Sequence, residues 1–349
     1  MDARSRRCII RYLVIVPDVL PGSLHRETDM TPHEDIFFRL RIEKKDQVAR
    51  DIWRFELADP EGGTVPSFEA GSNLTVQIPN GMRRSYSLCN DPSENHRYVI
   101  AVKRDANGRG GSKSLVDETS EGDTLNVSPP RNEFPLDERA KEFILVAGGI
   151  GITPMLSMAR QLKSEGLRKF RLYYLARDPE GTAFIDELQS DEWRPFVKIH
   201  HDFGDPSKSF DFWSLFERPK QAHVYCCGPN ALMDTVKDMT GHWPSGTVHF
   251  ESFGAASAAA KENKPFTVRL KQSGTTFEVP ADRSILDVLR SANVRVASSC
   301  ESGTCGSCKT GLCSGEADHR DLVLEDGERQ TQIMVCVSRA KSDELVLDL

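Results

Sequence analysis

The sequence lacks any stretch that approaches the roughly 20 uninterrupted apolar residues of a transmembrane helix, which argues against a helical membrane protein. It also lacks an excess of positive charge, because 45 Lys and Arg stand against 52 Asp and Glu, for a net charge of -7. This balance offers no basic footprint for nucleic acid. The composition is that of a soluble protein, and 349 residues predict two or three domains, since single cores stop growing below that length.

Cysteine is scarce over most of the chain, because only four of the nine cysteines precede residue 300. The other five fall within residues 300–336. An odd total with this uneven placement excludes a disulfide scaffold, and the local crowding indicates a metal site instead. Ordinary reduced thiols are expected at Cys8, Cys89, Cys226 and Cys313, with Cys313 buried, which suits a cytoplasmic protein.

The first 30 residues have no clear place in a folded domain. The segment from Arg4 to Leu20 comes nearest to a targeting signal, but Arg11 and Asp18 interrupt its apolar part and no small-x-small cleavage site follows. We interpret residues 1–30 as a poorly ordered N-terminal extension.

Short strand patterns dominate residues 31–137. Segments such as FFRLRIEKK, IWRFELAD and YVIAVKR are separated by turn clusters such as DPEGG and DANGRGG. This punctuation predicts an antiparallel β-barrel. In residues 138–254 the strands FILVA, FRLYYLAR, VKIHH and HVYCC alternate with helical runs, which predicts an α/β domain with a parallel sheet.

A small and polar segment, residues 255–264, lies where the pattern changes again and is predicted to be a linker, although one or two helical turns remain an alternative. In residues 265–349, PFTVRL and TTFEVP flank the turn QSG as a hairpin. SILDVLRSAN then reads as an amphipathic helix with Ser284 as its N-cap. The chain therefore divides into three structured parts joined by one linker.

The strongest motif is the cysteine pattern C-x4-C-x2-C formed by Cys300, Cys305 and Cys308, with Cys336 following after 27 residues. This spacing is that of plant-type [2Fe-2S] proteins, in which one loop supplies three thiolates and a distant strand the fourth. Four cysteines could also hold zinc, but zinc sites usually pair CxxC with CxxC. The spacing therefore favours the iron cluster.

Two glycine turns indicate a nucleotide site. The first follows a strand and opens a helix, where glycines let the backbone approach a pyrophosphate and the helix N-terminus faces its charge; it comprises Gly148, Gly149, Ile150, Gly151, Thr153 and Pro154. The match to GxGxxG is partial, because Pro154 stands where the third glycine belongs. The second marker, VYCCGPN, also ends a strand and leads into a helix. Arg177 and Asp178 could read a ribose at a neighbouring strand end or belong to a solvated loop.

A flavin site is indicated more weakly by R-x-Y-S in the barrel region. The ring of Tyr86 could stack on an isoalloxazine, the Ser87 hydroxyl could bond to its N5 edge, and Arg84 suits a phosphate. The turn GRGGSKSLV opens a short helix that would offer N–H groups to the same phosphate. An ordinary barrel strand is the alternative interpretation of R-x-Y-S alone.

Together these motifs resemble the phthalate dioxygenase reductase family of the ferredoxin-NADP reductase superfamily. The resemblance rests on RSYSLCND, VAGGIGITPM, YCCGPNALMDTV, HFESFG and CESGTCGSCKTGLCSGEADHRD, and it covers essentially everything after residue 30. It implies an FMN-binding barrel, an NAD-binding α/β domain and an α+β β-grasp domain of the plant-type ferredoxin class. It also implies FMN rather than FAD, NADH as donor, and a Rieske oxygenase as the partner.

The resemblance assigns further residues one by one. Cys227 would lie near the nicotinamide, and Phe253 would cover the flavin face where the nicotinamide must enter. The remaining cofactor contacts that it implies are Arg84, Ser85, Tyr86 and Ser87; Ala101, Val102 and Lys103; Arg109, Gly110, Gly111, Ser112, Lys113, Ser114, Leu115 and Val116; and Gly228 and Pro229.

The predicted function is transfer of electrons from NADH through FMN and [2Fe-2S] to the Rieske centre of an aromatic-ring dioxygenase, with phthalate dioxygenase as the leading partner. The chain is expected to be a monomer that meets its partner transiently. Two alternatives stay open. One is the reductase of a related O-demethylase or monooxygenase, and the other is a non-enzymatic electron carrier, against which Tyr86, Gly149 and Cys227 argue.

Overall fold

The computed structural model describes residues 37–108, 110–253, 263–298, 303, 306–321 and 323–349. The predicted N-terminal extension and nearly all of the predicted linker lie outside these residues, as do Arg109, Cys300 and Cys305. Within the part of the chain that the structure describes, no helix is both long and apolar enough to cross a membrane.

The first sheet is antiparallel throughout and forms the predicted barrel. It contains β1 (Phe38–Ala49), β2 (Ile52–Ala58), β3 (Ser72–Gln77), β4 (Arg83–Ser87), β5 (Arg97–Lys103), β6 (Thr124–Val127) and β7 (Arg131–Asn132), with α1 (Gly111–Asp117) after β5. The strand order is β4-β3-β6-β1-β2-β5, with β7 paired to β3. A bridge between Leu88 and Ile100 joins the end of β4 to β5 and closes the sheet on itself.

The second sheet is parallel. Its elements are β8 (Glu142–Gly148), α2 (Ile152–Glu165), β9 (Lys169–Ala176), α3 (Ile185–Leu188), β10 (Val197–His201), α4 (Trp213–Phe216), β11 (His223–Cys227), α5 (Asn230–Thr240) and β12 (Val248–Glu251). The order β10-β9-β8-β11-β12 reverses direction between β8 and β11. Ligands of open α/β sheets bind at such a switch point, outside the carboxyl ends of the strands. The two predicted glycine turns follow β8 and β11, on either side of it.

The third sheet is mixed. It contains β13 (Phe266–Leu270), β14 (Thr276–Val279), β15 (Lys309–Ser314), β17 (Gln332–Met334) and β19 (Glu344–Leu347), with α6 (Ile285–Ser291) after β14 and a small pair formed by β16 (Ala317–Asp318) and β18 (Arg339–Ala340). The predicted hairpin is present as β13 and β14. The Ser284 side chain accepts from the Asp287 N–H at 3.0 Å and completes a capping box, so the predicted N-cap is confirmed.

The barrel and the α/β sheet share a hydrophobic core. Ala101 of β5 and Phe134 belong to the same buried cluster as Met155 of α2 and Phe143 of β8. A hydrogen bond also joins the barrel to the α/β domain, because the Arg160 guanidinium on α2 donates to the carbonyl of Cys89 after β4 at 2.6 Å. The two sheets therefore form one packed unit, which places the flavin strand against the nucleotide turn.

The fold class is confirmed in all three parts, whereas the domain boundaries stay a prediction. Two local expectations need adjustment. The helical pattern TAFIDELQ yields only the single turn of α3. The expectation of a buried Cys313 is wrong, because its side chain is exposed. The register between β15 and β19 shifts between Leu312 and Ser314, and this bulge turns Cys313 outward.

A polar cluster lies where the barrel joins the α/β sheet, at the start of β11. The rings of His223 and His249 stack, with His223 Nδ1 3.1 Å from His249 Nε2. Tyr225 stacks on His249 with ring centroids 4.3 Å apart, and its hydroxyl donates to the carbonyl of Pro135 at 3.0 Å. Burial, together with the neighbouring His223, lowers the pKa of His249.

This depressed pKa predicts a loss of stability in acid. Because the unfolded chain binds a proton at His249 more readily than the folded chain, the stabilising contribution is present above about pH 6.5 and falls as the pH drops below it. We measure the free energy of unfolding in urea at pH 7.5 and at pH 5.5. We expect it to fall less in His249→Asn than in the parent over this range. His96→Asn, at an exposed histidine, is the control. If the free energy of unfolding of His249→Asn fell with pH as steeply as that of the parent, His249 would not be the source of the pH dependence.

Candidate functional site

The strand β4 carries the predicted flavin motif. Its pairing with β3 places Arg84 opposite Val76 and Tyr86 opposite Leu74, so that Arg84 and Tyr86 share one face. Burial raises the pKa of Tyr86 to about 12, an effect that the positive charge of Arg84 partly opposes. The tyrosine is therefore a neutral ring beside a cation. Ser87 closes the strand and is buried.

The first turn of α1 lies directly beneath Arg84. A Cβ added to Gly111 would come within 2.9 Å of Arg84 Nε, so the glycine lets the arginine side chain lie close to the backbone of this turn. Gly110 precedes the helix with φ of 87°, in the left-handed region, and as a glycine it has no side chain with which to cap the N–H groups of the first turn. A guanidinium above uncapped helix N–H groups suits a phosphate. These residues therefore fit the terminal phosphate of a flavin nucleotide.

Other residues of this turn have structural contacts. The Ser112 hydroxyl accepts from the Asp105 N–H at 3.0 Å, and the Ser114 hydroxyl donates to Glu118 at 2.9 Å. Leu115 and Val116 are buried in the barrel core, whereas Lys113 is exposed. The structure thus brings Arg84 together with Gly110 and Gly111, while four of the other predicted contacts support the turn or the core.

Arg84 and the first turn of α1 form a cradle for the predicted flavin phosphate. This cradle predicts a large effect of Arg84→Ala on flavin binding. A hydrogen bond to a charged group contributes about 1.5–3 kcal/mol, which corresponds to roughly 10- to 100-fold weaker binding of the flavin. The dissociation constant can be measured by titrating flavin into the apoprotein. Arg83→Ala is the matched control, since the neighbouring guanidinium stacks on Phe37 at 4.7 Å, and it should bind flavin as the parent does. Equal weakening by both changes would contradict the phosphate role of Arg84.

The other predicted flavin strand, β5, connects the two cofactor sites. Ala101 and Val102 are buried in β5, and Lys103 at its end is exposed. The 3-10 turn Gly149–Gly151 contacts this strand. The nucleotide turn therefore lies next to the barrel strand that carries the predicted flavin contacts.

The two glycine turns pack against each other at the switch point. A Cβ on Gly151 would lie 2.2 Å from the carbonyl oxygen of Cys227, and one on Gly228 would lie 3.0 Å from Gly148 Cα. Gly149 has φ of 53° and open space around its Cα. Thr153 and Pro154 are buried in the first turn of α2, while Ile150 is partly buried. Only small residues permit this backbone contact. In open α/β sheets ligands bind in the crevice outside the strand ends at such a switch point, so the crevice beside the turns after β8 and β11 is the predicted dinucleotide site.

Cys227 and Phe253 lie at neighbouring strand ends of the same sheet. Cys227 ends β11 and is fully buried, and its pKa is raised by burial and by the negative charge of Glu251. The thiol therefore stays protonated. Glu251, missed in the sequence, lies opposite Cys227 in the β11–β12 register. Phe253, two residues beyond Glu251, is 41% exposed, so its ring is available to cover another planar group.

Arg177 and Asp178, the two residues predicted to contact a ribose, lie in different environments. The Asp178 carboxylate accepts from Arg50 of the barrel at 2.6 Å and from the Gly181 N–H at 2.8 Å, so it is engaged within the protein. Arg177 is exposed at the end of β9. Phe203, missed in the sequence, follows β10 with φ of 55° and is 63% exposed, and its N–H donates to the Arg177 carbonyl at 2.7 Å. Arg177 and Phe203 thus lie together as exposed residues that follow the neighbouring strands β9 and β10.

Two of the four predicted cluster ligands are described. Cys308 and Cys336 come from the loop before β15 and the segment after β17, and their sulfur atoms are 2.9 Å apart. Both are buried and neither forms a disulfide. Gly303 and Gly306 have φ of 77° and 80°, which allow the tight turn between the ligands. Two buried thiols converging from distant segments fit a metal cluster, with Cys300 and Cys305 outside the described residues.

Comparison with known proteins agrees with this geometry. Residues 39–135 match the family of oxidoreductase FAD-binding domains, and residues 268–341 match the family of 2Fe-2S iron-sulfur cluster binding domains. The chain is 77% identical over 320 residues to the phthalate dioxygenase reductase of Burkholderia cepacia, which covers 91% of this chain and 99% of that protein. It belongs to the phthalate dioxygenase reductase family.

Further relatives of the phthalate dioxygenase reductase family support the assignment. The phthalate 4,5-dioxygenase oxygenase reductase subunit of Pseudomonas putida is 57% identical over 317 residues, which cover 90% of this chain and 98% of that protein. A solved phthalate dioxygenase reductase, described as a modular structure for electron transfer from pyridine nucleotides to [2Fe-2S], matches with a TM-score of 0.86 and 76% identity, covering 92% of this chain and all of that one. The chain is thus an oxidoreductase with flavin-binding and [2Fe-2S] domains, and the predicted family is confirmed.

Proposed function

We propose that this chain is the NADH-dependent reductase component that supplies a terminal aromatic-ring dioxygenase with electrons, through FMN and the [2Fe-2S] cluster, to the partner's Rieske centre. The observation that carries the proposal is the contact of the turn Gly149–Gly151 with β5, because it lets a bound dinucleotide and a bound flavin meet. Membership in the phthalate dioxygenase reductase family makes phthalate dioxygenase the first partner to test.

When bound, a flavin takes the two electrons of a hydride and can release them singly, as an acceptor of one electron such as a [2Fe-2S] cluster requires. The chain's own residues would orient the nicotinamide and exclude water. Cys227, which is fully buried, and Glu251, which is partly buried, lie side by side at the ends of β11 and β12. Phe253 would cover the flavin until the nicotinamide displaces its exposed ring.

We propose FMN rather than FAD as the flavin. Arg84 and the first turn of α1 form a cradle that suits one terminal phosphate, and the resemblance of RSYSLCND points the same way. Releasing the flavin from the purified protein by heat and comparing it with FMN and FAD standards by chromatography tests this. Recovery of FAD would overturn the FMN assignment and leave the reductase function intact.

The proposed location is the cytoplasm, and the proposed state is a monomer that binds its oxygenase transiently. Support for a reducing compartment comes from the thiols of Cys89, Cys226 and Cys227, which are buried and not in disulfides. Gel filtration of the reductase, alone and mixed with the oxygenase, tests the other part. A stable dimer, or a complex that survives the column, would overturn it.

The decisive experiment is an anaerobic titration of the purified protein with NADH. One flavin and one [2Fe-2S] cluster together take up three electrons, so reduction should end at about 1.5 equivalents of NADH. An endpoint of one equivalent without a change in the iron absorbance would contradict the cluster. Failure of the purified protein to oxidise NADH, whichever electron acceptor is supplied, would support a carrier instead of a reductase.

The identity of the partner is tested by coupling. The reductase is mixed with the oxygenase component of phthalate dioxygenase or with that of an O-demethylase, and NADH-dependent product formation is measured. We expect the faster turnover with phthalate dioxygenase. Faster turnover with the O-demethylase component would assign the chain to that system while leaving the electron-transfer function in place.

A further inference from the structure

A buried carboxylate lies beside the cluster loop. The side chain of Asp321 is 0% exposed, and its Oδ2 accepts from the N–H groups of Leu324 at 2.8 Å and Val323 at 3.3 Å. Its Oδ1 accepts from the hydroxyl of Ser338 at 3.4 Å. Burying a carboxylate is costly unless it is well paired, and these three hydrogen bonds offset part of that cost.

Asp321 reaches both segments that carry the ligands. Gly303, which lies between Cys300 and Cys305 in the chain, faces it closely, because a Cβ on Gly303 would lie 3.2 Å from Asp321 Cα. Ser338 is two residues beyond Cys336 and is fully buried. Asp321 therefore lies next to Gly303 through its backbone and next to Ser338 through its carboxylate, between the loop predicted to supply three ligands and the segment predicted to supply the fourth.

His319 lies against the same carboxylate. Its Nε2 donates to the carbonyl of Arg329 at 2.9 Å, since a carbonyl can only accept. Its Nδ1 is buried without a hydrogen-bond partner among the described residues and lies 3.7 Å from Asp321 Oδ1. The imidazole thus lies beside a carboxylate whose side chain is fully buried.

We propose that Asp321 is a positioning residue of the [2Fe-2S] site, one that holds the loop and the Cys336 segment at a fixed spacing and lowers the reduction potential of the cluster. The reduction potential of such clusters depends on nearby charge, hydrogen bonds and exposure to solvent. A negative charge in a dry environment opposes the arrival of an electron. The proposal rests on the [2Fe-2S] assignment of the proposed function.

The test is a reductive titration of the full-length holoprotein with dithionite and mediator dyes, monitored by the EPR signal of the cluster. Asp321→Asn keeps the shape of the side chain, and its new amide can donate to His319 Nδ1. We expect the ratio of reduced to oxidised cluster at a fixed potential to rise about tenfold, which corresponds to about 59 mV for one electron. Asp318→Asn is the matched control, since its carboxylate pairs with Arg320 at 2.7 Å on the same segment. It should shift the ratio less than twofold.

A second variant covers the possibility that Asp321→Asn does not retain iron. Ser338→Ala removes a hydrogen bond from the Asp321 carboxylate, so the negative charge of the carboxylate is less neutralised. The ratio of reduced to oxidised cluster at a fixed potential should therefore fall, by about threefold for a weak hydrogen bond. A purely structural role would speed the loss of iron to a chelator without shifting the potential. An unchanged potential in an intact Asp321→Asn protein, or a shift of equal sign in both variants, overturns the proposal. A parent protein without iron would instead overturn the proposed function.

Discussion

Replacing Cys308 by serine is expected to abolish electron delivery to the oxygenase, with a loss of at least about 100-fold. Replacing a residue that only hydrogen-bonds to a metal ligand typically costs about 10- to 100-fold in metal affinity or activity. Cys308 is itself a ligand of the proposed cluster, so its loss should cost at least as much. Its sulfur lies beside that of Cys336 in a buried site. A serine hydroxyl keeps its proton at neutral pH and cannot replace a thiolate. The coupled assay with oxygenase, NADH and aromatic substrate measures this loss.

The same Cys308→Ser protein should oxidise NADH with ferricyanide at the parent rate. Cys308 belongs to the hydrophobic core formed by the segment from Phe266 to Leu347. The buried clusters of the barrel and of the α/β sheet contain no described residue from that segment. Among the described residues, Cys308 therefore shares no hydrophobic core with Tyr86 or Cys227, so a change at Cys308 should leave the flavin and nucleotide sites intact.

Cys313→Ser is the matched control for Cys308→Ser. Cys313 is an exposed thiol on β15, five residues further along, so the exchange of sulfur for oxygen is the same while no ligand is lost. We expect both activities to be unchanged. Retained delivery to the oxygenase in Cys308→Ser would mean that electrons leave the protein without passing the cluster.

The features that could be predicted from the sequence are those that depend on neighbours in the chain. C-x4-C-x2-C identifies ligands of one loop, and Ser284 caps a helix through the residue three positions later. Strand alternation and turn glycines set the three sheets, because the side-chain period is local. The turns after β8 and β11 could be assigned to one edge, since parallel strands end on the same side.

The features that could not be predicted depend on contacts between distant residues. Asp178 pairs with Arg50, 128 residues away, a contact that a local pattern does not show, and its ribose role stays a prediction. Cys313 is exposed because of its register with β19, which no local pattern encodes. Asp321 lies in an unremarkable polar stretch, and only the packing of Gly303 and Ser338 around it reveals its position beside the ligands.

The second large effect is expected from Gly151→Ala. The backbone of Gly151 has φ of -62°, which alanine adopts freely, so the effect comes from space alone. The new methyl group would lie 2.2 Å from the carbonyl oxygen of Cys227 and 2.5 Å from its carbon. Because both partners are backbone, the turns after β8 and β11 must separate. A misplacement of about 1 Å at a reacting centre can cost roughly 100-fold in rate.

We therefore expect the rate of flavin reduction at low NADH concentration to fall about 100-fold in Gly151→Ala. Overpacking should also lower the free energy of unfolding by about 1–3 kcal/mol, while the flavin and iron contents stay those of the parent. Anaerobic stopped-flow mixing with NADH measures the rate, and urea unfolding measures the stability.

Gly166→Ala separates the two effects of Gly151→Ala. Gly166 ends α2 with φ of 65° in open space, so alanine costs about 1–2 kcal/mol of backbone strain at the far end of the same helix. Its stability should fall by a similar amount to that of Gly151→Ala while NADH reduces its flavin at the parent rate. The clash in Gly151→Ala must separate the turns after β8 and β11 and so change the shape of the crevice between them. If Gly151→Ala still reacted with NADH at the parent rate, the dinucleotide would therefore not lie in that crevice.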